Sequence, residues 1–340
     1  MKILVRATNW IGDAVMSLPA LRALRVGFPD AQIVVLAKPW VAALYEGETA
    51  IDRVIALPGN PGFRDPGVKW RTAQALRKER FDLAVLLPNS FESAAMAFLS
   101  GAKRRVGYVR DGRGVLLTNP VPLPRPGDIP KHERFYYLEL LRRARLIDQI
   151  PEVSEIRLDG ADAARARGEN LFKDRNMSGR IIGVSPGAAY GNAKRWIPAR
   201  FADAARTLAE RLNGIVAVFG SQAENALCEE VAQAAGGRNF AGATALREFI
   251  DMTAACAVYL TNDSGAMHIA SALGVPTVTV FGPTDETATG PLGALARLVR
   301  EPVECAPCKL RECPIDHRCM TRVSADRVIA EALIAVTERC

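Results

Sequence analysis

The run Thr261-Asn262-Asp263-Ser264-Gly265-Ala266-Met267-His268 follows an apolar stretch and opens a helical pattern. At a helix start the first N–H groups have no intrahelical partner and the dipole adds partial positive charge, so a phosphate can accept several hydrogen bonds there. Gly265 lets a ligand approach the backbone, and His268, one turn on, can add a donor. The same residues serve equally well as an ordinary N-cap and a packed side chain.

Three further loops follow apolar runs. Ser185-Pro186-Gly187-Ala188 leads to Lys194-Arg195-Trp196, joining glycines that admit phosphate to the backbone with a compact positive charge at Lys194. Its spacing is not that of a Walker loop. Ser221 and Glu224 have capping-box spacing, and the Glu224 carboxylate also suits ribose hydroxyls. The fourth loop is Gly282-Pro283-Thr284. In the first half, Asp13 stands at the mouth of a strand-to-helix turn and is the sharpest catalytic candidate. As general base it needs an acceptor hydroxyl within hydrogen-bond reach; its structural alternative is an N-cap.

Seven cysteines are present, four of them clustered as Cys305-x2-Cys308-x4-Cys313-x5-Cys319. In a cytoplasmic chain such a cluster is expected to be reduced or metal-binding rather than disulfide-linked. Four thiolates can hold a structural zinc, with His317 nearby, although no second short pair is present. Catalysis is not placed there, and the sequence leaves the need for a divalent ion open.

These loops need a scaffold of alternating strands and helices. Strands are predicted at 3–5, 33–37, 54–57, 81–87 and 105–108, and the alternation restarts at 181–184, 215–219, 258–260 and 277–281, with helices between. Asp13 and the loops above fall at the strand-end edge where open α/β sheets bind ligands. The proline-rich stretch 119–130 reads as a surface loop. The expected division is an N-terminal domain over 1–165, a second over 166–323, and a final helix over 324–340 that returns to the first.

With 340 residues, 49% hydrophobic and 24% charged, two globular domains are expected. No signal peptide or spanning segment is read, which predicts a cytoplasmic protein. The net charge of +7 suggests an acidic partner. Basic residues concentrate between Lys103 and Arg113, where glycines indicate a binding loop. Nucleic acid is disfavoured because no binding module accompanies them.

In order along the chain, Asn9–Ser17, Arg105–Tyr108, Ser185–Ala188 with Lys194–Trp196, Phe219–Ser221, Thr261–His268 and Phe281–Thr284 resemble the ADP-heptose:lipopolysaccharide heptosyltransferases, nearest the heptosyltransferase II branch. The resemblance implies an α/β fold of two Rossmann-like domains facing across a cleft, the GT-B type. It implies an inverting transfer of L-glycero-D-manno-heptose from ADP-heptose to the first heptose of heptosyl-Kdo2-lipid A. Rival readings are heptosyltransferase I or III, with another core acceptor, and a nucleotide-sugar 2-epimerase.

By the same resemblance Asp13 is the general base. Donor contacts fall to Ser185, Gly187, Lys194, Ser221, Glu224, Asp263, Ser264, Gly265 and His268, with Lys194 and the Ser264-Gly265 turn on the diphosphate, Glu224 on the nucleoside and Asp263 on the heptose. The acceptor falls to the N-terminal domain, where Asn9 is the candidate beside Asp13 and the charge of Lys103, Arg105, Arg110 and Arg113 suits an anionic acceptor. No cofactor beyond the donor is expected, and contact with the cytoplasmic face of the inner membrane is expected to be peripheral and reversible.

Overall fold

The computed structural model describes residues 1–59 and 64–339. The chain divides into two compact units, Met1–Val153 and Ser154–Cys340.

The first unit contains β1 (Lys2–Arg6), α1 (Ile11–Gly27), β2 (Gln32–Ala37), α2 (Pro39–Tyr45), β3 (Arg53–Ala56), α3 (Pro66–Lys78), β4 (Leu83–Leu86), α4 (Phe91–Leu99), β5 (Arg104–Tyr108), β6 (Asn119–Val121) and α5 (Arg134–Arg143). Its parallel sheet has the order β3-β2-β1-β4-β5-β6. Ile3, Leu4 and Val5 pair on both sides and are buried, as an apolar run without alternation requires of a strand covered on both faces.

The second unit contains α6 (Ala161–Lys173), β7 (Arg180–Ser185), α7 (Pro198–Leu212), β8 (Gly214–Val218), α8 (Asn225–Ala235), β9 (Arg238–Asn239), α9 (Leu246–Ala254), β10 (Cys256–Asn262), α10 (Gly265–Ala272), β11 (Thr277–Phe281), α11 (Glu286–Thr289), β12 (Ala296–Arg300), α12 (Arg318–Thr321) and α13 (Ala325–Glu338). Its sheet, β12-β11-β10-β7-β8-β9, repeats the first unit's order. Each sheet winds outward from its first strand and reverses beside it, between β1 and β4 and between β7 and β10. That reversal separates the flanking connections and leaves a crevice at the carboxyl ends of the strands.

The observed division lies earlier than position 165. Helix α6 packs on α9 of the second unit, where a Cβ on Gly168 would come within 1.9 Å of the Asp251 carbonyl oxygen. Arg167 clasps the Asp251 carboxylate with bonds of 3.0 and 2.7 Å. The last helix, α13, lies against α7, β10, β11 and β12 of its own unit. Positions 119–121, expected as loop, pair with β5 as an edge strand, a place that tolerates Pro120. Among the described residues no helix is long and apolar enough to cross a membrane.

Candidate active-site residues

In the second unit Asn262 ends β10 fully buried. Its amide nitrogen donates to Pro186 O (2.7 Å) and its Oδ1 accepts from Trp196 N (2.9 Å), so one side chain staples both ends of the loop after β7. Lys194 closes that loop. Its Nζ lies 2.5 Å from Asp263 Oδ2, and Thr284 Oγ1, from the loop after β11, donates to the same oxygen at 2.6 Å. Three strand ends thus meet at one carboxylate, with Lys194 and Asp263 largely buried. A charge-assisted bond of this length holds the ammonium in one place.

Ser264 precedes α10 in extended conformation and makes no side-chain cap; its hydroxyl lies 3.3 Å from Thr261 Oγ1. The first N–H groups of α10, beginning at Gly265, are therefore not spent on the Ser264 side chain, and His268 is buried one turn further on. Ser185 sits inside, its Oγ 2.7 Å from the buried Tyr259 hydroxyl, which commits it to the core. Glu224 Oε2 accepts from Ser221 N (2.9 Å) and Ser221 Oγ (2.8 Å), so the capping reading of this pair is realised. The other oxygen faces Gly187, where an added Cβ would fall 2.1 Å from it. Only glycine lets the loop run so close to the carboxylate.

In the first unit β1 ends at buried Arg6, whose Nη2 donates to Asn9 Oδ1 (2.7 Å), while the Trp40 indole donates to Asn9 O (3.0 Å). Asn9 thereby fixes the turn that presents Asp13 in the first, half-buried turn of α1. Helix α5 packs on α1 and brings Glu133 and Tyr137 within electrostatic reach of Asp13. Burial, and after it the Asp13 carboxylate, raise Glu133 above its ordinary value of 4.5. Burial also pushes the Tyr45 hydroxyl, from α2, up to about 12, with a smaller contribution from Asp13.

Residues 69–318 match the profile of glycosyltransferase family 9 (heptosyltransferase). The chain belongs to this family. Over 311 residues it is 33% identical to lipopolysaccharide heptosyltransferase 2 of Escherichia coli K12, covering 88% of both chains. Lipooligosaccharide heptosyltransferase 2 of Haemophilus influenzae is 32% identical, again over 88% of each. The solved E. coli ADP-heptose lipopolysaccharide heptosyltransferase II superposes with a TM-score of 0.83 at 28% identity, covering 100% of this chain and 99% of that one. Family 9 membership makes the chain a glycosyltransferase, and its two Rossmann-like units are those of the GT-B fold.

The basic run of this family 9 enzyme does not form one surface. Lys103 lies at the amino-terminal edge of the sheet, away from the Asp13 edge, and pairs with Asp82 at 2.8 Å. Arg105 donates to Leu116 O and Ala102 O, each at 2.7 Å. Arg113 is fully buried and donates to Tyr108 O (2.8 Å), Pro88 O, Ser93 Oγ (3.0 Å) and Asn89 Oδ1 (3.3 Å); burial lowers it to about 10. Arg110 alone of these four is both exposed and placed after the carboxyl end of β5. Charge patterning could not separate them, because it does not show which carbonyls a guanidinium meets.

Among the described residues no group of three or more His, Cys, Asp or Glu is arranged to hold a metal ion. Burial first, and then the neighbouring Cys305, Cys313 and Cys308, push the Cys319 thiol up to about 11. His317 Nε2 is engaged 2.7 Å from Ala193 O. The residues that sequence reasoning missed are Asn262 and Thr284, which lay inside segments singled out for other members, and Glu133, which carried no signal.

Proposed function

We propose that this family 9 glycosyltransferase transfers L-glycero-D-manno-heptose from ADP-heptose to the first heptose of heptosyl-Kdo2-lipid A, inverting the anomeric carbon. The observation that carries the reading is the Lys194–Asp263–Thr284 cluster beside the start of α10, at the switch point of the second sheet. A nucleoside diphosphate suits an oriented ammonium next to helix N–H groups. The names of the E. coli and H. influenzae relatives support the choice of sugar and acceptor.

In this mechanism Asp13 takes the proton from the acceptor hydroxyl as its oxygen forms a bond to the anomeric carbon. The bond from that carbon to the β-phosphate oxygen breaks, and its electrons leave with ADP, whose growing charge Lys194 and the α10 N–H groups stabilise. One displacement suffices, with no sugar–enzyme intermediate. Asp263 takes heptose hydroxyls and Glu224 the nucleoside. Arg110 meets the anionic acceptor, and the net charge of +7 favours reversible contact with an anionic membrane surface.

The test supplies purified enzyme with ADP-heptose and with Kdo2-lipid A carrying no, one or two heptoses, and weighs the products. Addition of one heptose only to the singly heptosylated acceptor is expected. Transfer to the acceptor without heptose would overturn the assignment. In the same assay Asp13→Asn should keep ADP binding and lose roughly 10²–10⁴-fold in turnover; full activity would remove Asp13 as base.

A further inference from the structure

The loop between β12 and α12, which carries Cys305, Cys308 and Cys313, is bonded to two loops of the candidate donor pocket. Lys309 N donates to Pro283 O (2.7 Å), and Lys309 O accepts from the Tyr190 hydroxyl (2.8 Å). Ala193 N donates to Arg311 O (2.9 Å). Gly191 lies so close to that carbonyl that an added Cβ would stand 2.3 Å from the oxygen. The backbone of Arg311 is thereby fixed against the residues that lead into Lys194.

The side chains continue this arrangement. Arg311 Cζ lies 5.2 Å from the centre of the Tyr190 ring, and Lys194 Nζ lies 4.9 Å from the same ring. Their charges differ in one respect. Lys194 is neutralised by Asp263 at 2.5 Å, whereas among the described residues the exposed Arg311 guanidinium meets no carboxylate. A nucleoside diphosphate brings at least two negative charges, and the Lys194–Asp263 pair offers no net charge to meet them. Arg311 supplies an uncompensated cation against the same Tyr190 ring, with a planar fork suited to phosphate oxygens.

We propose that Arg311 is a second cationic ligand of the donor diphosphate, held beside Lys194 by the Cys-rich loop and the Tyr190 ring. This rests on the reading of Lys194 as a diphosphate ligand.

The test titrates ADP into the full chain as wild type, Arg311→Gln, Arg311→Lys and Lys194→Ala. Arg311→Gln keeps the stem on Tyr190 and should weaken ADP roughly tenfold to hundredfold, the worth of one charge-assisted hydrogen bond. Arg311→Lys should recover much of the loss. Weakening in Arg311→Lys as large as in Arg311→Gln would mean that the positive charge is not what ADP meets, and would overturn the inference. Wild-type affinity in Arg311→Gln with a loss in Lys194→Ala would overturn Arg311 alone. Wild-type affinity in all three variants would overturn the diphosphate reading of Lys194 as well.

Discussion

Lys194 Nζ and Asp263 Oδ2, 69 positions apart in sequence, stand 2.5 Å apart in the fold, and Thr284 donates to the same carboxylate oxygen. The cation and the anion that the family resemblance assigned to different parts of the donor are thus one electrostatic unit. A phosphate that accepts a hydrogen bond from Lys194 competes with Asp263, which orients the ammonium.

Removing one partner of this pair exposes its cost. Lys194→Ala leaves Asp263 buried with its charge met, among the described residues, by the Thr284 hydroxyl, a loss of about 3 kcal/mol. Adding Asp263→Asn should return a large part of it, because the uncompensated charge is gone. Urea denaturation of both single variants and the double variant measures this. Strict additivity of the two losses would show that the pair does not couple.

The second expectation concerns pH. The folded-state value of Glu133 is raised above 4.5, so the stability tied to its neutral form is fully present below about pH 4.5 and is lost as pH rises through the raised value. Glu133→Gln avoids that loss. It should melt above wild type at about pH 7–8, with the gap closing towards about pH 4. A variant that melted no higher than wild type at about pH 7–8 would show that Glu133 carries no such cost.

What was legible in the sequence was local. The strand–turn–helix units around Asp13 and Asp263 announce themselves because apolar runs, turn residues and helical spacing lie within a few positions of each other. The edge strands β6, β9 and β12 did not: they are short, and Pro120 in β6 reads as a breaker although an edge position accommodates it. The domain division was displaced because α6 is polar in pattern, while its allegiance is set by Gly168 and Arg167 meeting Asp251 from far along the chain. Glu133 beside Asp13 is likewise a product of α5 packing on α1, which no spacing encodes.

Arg110 and Arg113 stand three positions apart in one basic run and should fail in opposite ways. Arg113 satisfies the Tyr108 and Pro88 carbonyls and the Ser93 hydroxyl inside the first unit. Arg113→Ala abandons these buried acceptors and leaves a void, costing about 3 kcal/mol, and Arg113→Lys cannot reproduce the planar fork. Arg110 is exposed and, among the described residues, pairs with the Asp111 carboxylate at 3.7 Å. Arg110→Ala should melt as wild type does and raise the acceptor KM roughly twofold to fivefold, the scale of one solvent-screened charge contact. The donor KM should stay constant. Thermal melts beside acceptor and donor kinetics decide it: if Arg113→Ala kept its melting temperature and lost only acceptor affinity, the buried residue would be the ligand and the exposed one the bystander.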